Sequence, residues 1–466
     1  MPSDQLGSDA SQSIAVLPFA NMSRDPDDEY FSDGLAEEIL NLLAKIPALK
    51  VTARTSSFAF RGIQQDIRKI GEALSVRTVL EGSVRRSGSR IRVTAQLIGT
   101  ADGYHLWSER YDREMTDIFA VQDEISEAIA AELKVKLTGK DAAATREHEP
   151  GLQAYEAYLK GRYHYYKFNP DAVAAAETCF RDACTLDPKW ADPHAGLSDI
   201  HFSMGFFGWG PLNESLRRSR TAAHRALELQ PSQPLARAML GVIAGLHDYD
   251  WKEAGEQFRM ALEQKSANPN IHLFHAMFYL LPLGQFDAAE DVMAKAVAED
   301  PLNGMWHSRQ AWMLVCAERY DQAMVEAQKA LELNEADYQA YMMLSLCNGF
   351  QGRQDLALQH ASTVNRLAPW DSLGVGLYAG LLARTGDQEG AAKVLSSMKG
   401  AIPIGMVIYY LITSEIELGL DWYQREIEER RPNGPMIASA GFLEPFRLNL
   451  RWSKLARMMN LPRAGR

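Results

Sequence analysis

Tyr320-Asp321-Gln322-Ala323-Met324-Val325-Glu326-Ala327-Gln328-Lys329-Ala330-Leu331-Glu332-Leu333-Asn334-Glu335 is the stretch on which the fold turns. Its small residues stand four and three apart, so Ala323, Ala327 and Ala330 share one helix face. The phrase recurs as Ala289-Met293-Ala296 before Pro301, and as Ala357-Ala361-Val364 before Pro369. The closing positions 301, 335 and 369 are each 34 residues apart. A fixed period of that length predicts helix–turn–helix units that cannot bury an apolar face alone and therefore stack. Such an array works as a scaffold that binds.

Outward from this stretch, units of the same kind close at Pro188, Pro231, near Ser266 and at the three positions above. This is the period of tetratricopeptide (TPR) repeats. The step of 43 residues from Pro188 to Pro231 predicts an insertion, at Phe206-Phe207-Gly208-Trp209-Gly210-Pro211. Residues 372–398 make a weaker seventh unit, and the phrase fades beyond Gly400. The expected order is a leader (1–12), an α/β domain (13–140), a linker (141–151), about seven repeats (152–400) and a helical cap (401–466) over the last repeat. The charged Glu147-His148-Glu149-Pro150-Gly151 marks the boundary, so residues 1–145 and 150–466 are expected to fold apart.

The front third alternates instead of repeating. Ser13 to Phe19 reads as a buried strand, and Leu35, Ile39, Leu42, Leu43 and Ile46 as a helix entered through Ser32-Asp33-Gly34. Leu49 to Ala53 returns to strand, and Asp66 to Leu74 is a short helix. Val76 to Arg86 and Arg90 to Thr100 form a hairpin about Ser87-Gly88-Ser89. A strand at Leu106 to Tyr111 and an amphipathic helix from Thr116 to Leu137 complete a mixed-sheet domain. The fold class is thus α+β multidomain: a small α/β domain, then an all-α solenoid.

Five phrases of this third resemble the TolB-like amino-terminal domain of bacterial regulatory proteins. They are Ser13-Ile14-Ala15-Val16-Leu17-Pro18-Phe19, Glu29-Tyr30-Phe31-Ser32-Asp33-Gly34-Leu35, Val79-Leu80-Glu81-Gly82-Ser83-Val84-Arg85, His105-Leu106-Trp107-Ser108-Glu109-Arg110-Tyr111-Asp112 and Ile118-Phe119-Ala120-Val121-Gln122-Asp123-Glu124. In that family TPR units commonly follow, and Tyr249-Asp250-Trp251-Lys252-Glu253-Ala254 with Phe258 and Ala261 is similar to one of them. The resemblance implies a regulatory role beside a class III adenylate cyclase, a winged-helix DNA-binding domain or a kinase. No such effector is recognisable in this chain.

Bulk properties narrow the partners. The 466 residues are 46% hydrophobic and 23% charged, with a formal net charge of −11. That balance argues against general nucleic-acid or anionic-membrane binding. No apolar run approaches the roughly 20 residues of a membrane helix, and no secretory signal opens the sequence. The chain as it stands is expected in the cytoplasm, or in the periplasm if cut from a membrane-anchored protein. Cys179, Cys184, Cys316 and Cys347 have neither disulfide nor zinc spacing and read as small core residues.

Chemistry-bearing patterns are sparse. Arg85, Arg86, Arg90 and Arg92 could hold an anion or form a solvated strand face. His272 and His275 lack a third ligand, and His194 and His201 are weaker candidates. Adjacent Glu37 and Glu38 diverge by about 100° on a helix and do not make a catalytic pair. No phosphate loop or nucleophile motif occurs, so neither enzyme activity nor a cofactor nor a metal is expected. Register with the alanine phrase puts Phe274, Phe278, Ser308, Trp312, Met342 and Leu346 on the inner side of their helices. They either close against a neighbouring helix or the C-terminal tail, or line an apolar groove for a peptide. The expected function is a non-enzymatic interaction or sensory module taking a protein, peptide or small ligand. The alternative is the regulatory part of a class III cyclase or winged-helix regulator. A cell-envelope role by analogy with TolB is a third reading, and oligomeric state is left open.

Overall fold

A computed structural model describes residues 12–46, 49–62, 65–133, 148–263, 270–397 and 403–462. The expected leader, except Gln12, and positions 141–147 of the expected linker lie outside the described residues. The chain divides into two compact units. The first is Met1–Pro193 with Lys265–Ala267 and Glu299–Leu302, and the second is the remainder.

The first unit is built on six strands: β1 (Gln12–Val16), β2 (Ala20–Asn21), β3 (Leu49–Val51), β4 (Thr78–Ser87), β5 (Arg90–Gly99) and β6 (His105–Glu114). Their order is β3-β1-β4-β5-β6, with β2 also on β4. Pairing is parallel from β3 to β4 and antiparallel from β4 to β6, the mixed sheet expected. Ile14, Ala15 and Val16 are all fully buried, which is why β1 is an unbroken apolar run in a central parallel position. Ser87 pairs with Arg90, and Gly88 at φ 61° makes the two-residue turn between them.

Helices α1 (Glu29–Ala44), α2 (Arg54–Phe58), α3 (Ile67–Leu74) and α4 (Ile118–Glu132) pack on this sheet. The Asp66 side chain caps α3 by accepting from the Arg68 amide. Helix α1 starts six residues before the expected Leu35, after a 3-10 turn at Pro26–Asp28. It is buried along nearly its whole circumference. The reason is a further helix pair, α5 (Leu152–Tyr165) and α6 (Pro170–Leu186), which belongs to this unit. Tyr155, Leu159 and Trp190 join the core of α1 and α4. A Cβ on Gly34 would lie 2.5 Å from Leu159 Cδ1, so α5 sits directly on a glycine of α1. The first repeat therefore folds with the sheet, and the compact unit ends near Pro193 rather than at the linker.

The second unit is a run of helix pairs. They are α7 (Ala191–Phe206) with α8 (Leu212–Leu229), α9 (Pro234–Ile243) with α10 (Trp251–Glu263), and α11 (Asn270–His275) with α12 (Phe286–Glu299). Then come α13 (Gly304–Cys316) with α14 (Tyr320–Leu333), α15 (Tyr338–Phe350) with α16 (Gln354–Leu367), and α17 (Ser372–Arg384) with α18 (Gln388–Ser396). These six pairs make a TPR-like solenoid of the class expected, and α5/α6 is a further pair of the same kind within the first unit. Ala323, Ala327 and Ala330 are fully buried, as are Ala357, Ala361 and Val364. The turn inside each pair needs one left-handed residue. It recurs every 34 residues at Gly284, Glu318, Gly352 and Gly386. The 43-residue step comes largely from longer helices, 16 and 18 residues in α7 and α8 against 13 and 14 in α13 and α14.

Two features differ from the expected cap at 401–466. Helices α19 (Pro403–Ile412) and α20 (Ile416–Glu428) form an eighth pair packed on α17, turned at Ser414 with φ 62°. The segment after it, with α21 (Asn433–Ile437), α22 (Glu444–Arg447) and α23 (Trp452–Met458), runs back to earlier pairs instead of merely covering the last. Among the described residues no helix is long and apolar enough to cross a membrane.

Candidate functional site

The six inner-face residues are mostly core. Phe274, Ser308, Trp312, Met342 and Leu346 are buried, and Phe278 is half-buried. Phe278 stacks on Phe274 with ring centroids 5.8 Å apart and meets Phe202 and Phe206 at 5.8 and 5.7 Å. Trp312 packs edge-on against Phe442 at 6.0 Å, and Phe350 stacks on the same ring at 6.0 Å. Ser308 Oγ donates to Asp337 Oδ2 at 2.6 Å. Of the two alternatives, burial favours closure, and at Trp312 the covering ring is Phe442 of the C-terminal segment.

Of the arginine candidates, Arg85 is exposed and the other three are paired. Arg86 pairs with Glu156 at 2.7 Å and Asp28 at 3.6 Å, Arg92 with Asp112 at 2.6 Å, and Arg90 with Glu114 at 3.9 Å. His275 lies between Phe258 and Tyr279, and burial, with His272 beside it, pushes its ring down to about 4. His194 and His201 sit on α7, His194 half-buried and His201 buried. Among the described residues no three His, Cys, Asp or Glu side chains come together to hold a metal. Burial also pushes the thiols of Cys184 and Cys347 up to about 12, and those of Cys179 and Cys316 upward. These cysteines are poor nucleophiles.

The densest polar chemistry is a buried cluster in the first unit, where α1, α2 and α5 meet. Glu37 and Asp33, one turn apart on α1, are 4% and 3% exposed. Glu37 takes Arg54 Nε at 3.2 Å on one oxygen, and Arg162 with the Tyr166 hydroxyl at 2.8 Å on the other. Asp33 Oδ2 accepts from Arg61 and lies 4.0 Å from Arg54. The Arg54 guanidinium is sandwiched between the rings of Phe58 and Tyr166, 4.1 and 4.0 Å from their centroids. Burial pushes the Asp33 carboxyl up, and Arg61 and Arg54 offset that only in part. Burial alone would pull the Arg162 guanidinium down, but Glu37 and its neighbours hold it well above its ordinary value.

Sequence reasoning missed this cluster. The divergence of Glu37 and Glu38 is real, yet Arg162 reaches both, Glu38 at 3.9 Å. The available signal was the Glu29 to Leu35 phrase itself: Asp33 supplies the cluster and Gly34 seats Leu159.

Residues 10–128 match the family profile described as "HilA/YgeH-like transcriptional regulator, second domain". A Rhizobium meliloti (strain 1021) protein named "Putative adenylate cyclase 3" is 42% identical over 227 residues. That match spans 48% of this chain and 39% of the relative's length. Solved structures include the Pseudomonas aeruginosa pilF protein, 20% identical, covering 48% of this chain and 99% of that one, TM-score 0.35. Human IFIT1, in a dimer with PPP-AAAA, is 15% identical, covering 73% and 74%, TM-score 0.43. Both scores lie below 0.5, so neither speaks to the partners of this chain.

Proposed function

We propose that this chain is a non-enzymatic regulatory and interaction module of a bacterial signalling system, a TolB-like domain joined to TPR-like repeats, for a protein or peptide partner. The relative named as a cyclase carries the reading. This chain spans only 39% of that relative's length. A share of that kind suits the regulatory part of a longer protein whose effector is elsewhere. The buried acids of the first unit support a structural rather than catalytic use, since Asp33 and Glu37 are engaged by three arginines. In a cyclase assay with ATP and Mg²⁺ or Mn²⁺, the purified chain should make no cyclic AMP above background. Measurable turnover would overturn the reading.

A winged-helix transcriptional regulator is the second reading, favoured by the profile match over residues 10–128. The genomic sequence upstream of the Met1 codon separates the two. An in-frame cyclase domain supports the first, and an in-frame winged helix the second. The compartment follows the same result: cytoplasmic without a membrane anchor, periplasmic behind one.

A further inference from the structure

We propose that the segment Arg430–Leu461 is a clasp across the third to sixth helix pairs, and that ionisation of Glu426 opens it. The segment is tied to residues far earlier in the sequence. Trp251 Nε1 donates to the Met459 carbonyl at 2.9 Å, and just ahead of the segment, on α20, the Ile427 carbonyl accepts from the Tyr249 hydroxyl at 3.1 Å. Asn460 Nδ2 donates to the Tyr249 carbonyl at 3.2 Å, and Arg430 donates to the His247 and Asp248 carbonyls at 3.1 Å. His247 Nδ1 meets the Arg430 carbonyl at 2.8 Å, and Ser439 Oγ donates to the Leu281 carbonyl at 2.5 Å. Phe442 then lies against Trp312 and Phe350. Its helices have five, four and seven residues, too short to persist without docking. That makes the segment a unit able to open while the longer pairs stay folded.

Glu426 sits where the clasp begins. It is completely buried on α20, and among the described residues no side chain hydrogen-bonds its carboxyl, which only the Ile404 amide of α19 approaches. Burial pushes it up to about 8; Arg431 and the Ile404 amide of α19 lower it, while Glu429 raises it. The groups around it are Tyr423, Glu429 and Arg431 from its own helix and the turn after it, Tyr249 from the third pair, and Arg430, His247 and Arg447 nearby. Burial keeps the Tyr249 and Tyr423 phenols neutral to high pH. Arg425 and Arg431 hold Glu429 low despite its partial burial.

The sign follows from linkage. In the closed state Glu426 holds its proton up to about pH 8, while in a wet, opened state it returns to about 4.5. Opening therefore releases a proton between these values, and closure weakens about tenfold per pH unit until it levels above about 8.

Hydrogen exchange by mass spectrometry on the full chain, corrected for the intrinsic rate, tests this from pH 5.5 to 9. In the parent, protection at residues 436–459 should fall about tenfold per unit to pH 8 and then level, while α13–α16 stay protected. Glu426→Gln should flatten the slope. Should that variant not fold, Ser439→Ala reads the same clasp by removing its hydroxyl tie to Leu281: protection of the segment drops several-fold with the slope kept. The inference is overturned if the Gln variant keeps the parent slope, if Ser439→Ala leaves protection unchanged, or if segment and repeats lose protection together.

Discussion

Helices α5 and α13 both open a helix pair of the same period, yet they are buried by opposite chemistry. Helix α13 presents Trp306, Ala311, Trp312 and Val315 to an apolar core, and its partner α14 closes on three buried alanines. Helix α5 buries Tyr155 and Leu159 against α1 and α4, and sends Arg162 to a buried carboxylate. One repeat sequence thus makes two objects. Inside the run, contact between pairs needs only small residues at the right spacing. The pair that joins a sheet has to meet a foreign surface, and here it uses a glycine seat and ion pairs.

The comparison breaks first at its largest effect. Ala327→Asp puts a carboxylate at a fully buried helix contact and should cost more than about 4 kcal/mol. Peptide-resolved exchange should show α13–α16 unfolding; a variant that melts like the parent would mean the alanine face is not what packs these pairs. Trp312→Ala should cost about 3–5 kcal/mol as a buried aromatic truncation. A melting temperature within a degree of the parent would restore the open-groove reading.

On the α5 side the effects are somewhat smaller. Glu37→Ala leaves Arg54 and Arg162 without their shared carboxylate. Breaking a buried pair costs about 3–5 kcal/mol, but these guanidinium groups are 17% and 21% exposed, so about 2–3 is expected. Glu37→Ala as stable as the parent would reduce the cluster to decoration. A chain ended at 145 should be less stable than one ended at 193, because it loses Tyr155, Leu159 and Trp190 from the core of α1 and α4. Equal urea midpoints would put the boundary back at the linker. The smallest effect is a gain. Ser414 is exposed and left-handed, so Ser414→Gly should stabilise by about 0.5–1 kcal/mol. A loss instead would show that the hydroxyl matters at this turn.

Legibility tracks sequence distance. The 34-residue phrase, the Ser87 to Arg90 hairpin and the buried β1 strand were readable because each is settled by residues close in sequence. The eighth pair was not, since α19 and α20 keep the apolar rhythm with Ile404, Val407, Ile408 and Tyr423 but lack the alanine phrase. The burial of Trp312 was undecidable locally, because its covering ring, Phe442, arrives 130 residues later. The Glu37 cluster draws on α1, α2 and α5, and Arg162 lies 125 residues from the carboxylate it meets. No window of sequence holds both.

The bond from Tyr249 to Ile427 spans 178 residues, and that from Asn460 to Tyr249 spans 211. A plain repeat array has only neighbouring contacts and can fold as it is made, whereas these ties impose a long-range last step. At roughly 5–20 residues per second of synthesis, Tyr249 waits about 10–35 seconds on the ribosome before its acceptor exists. During that interval Trp312 lacks its ring partner from the tail. The growing chain therefore carries apolar surface on its inner helices until the residues around Phe442 have been made, and safe birth of these repeats depends on that stretch.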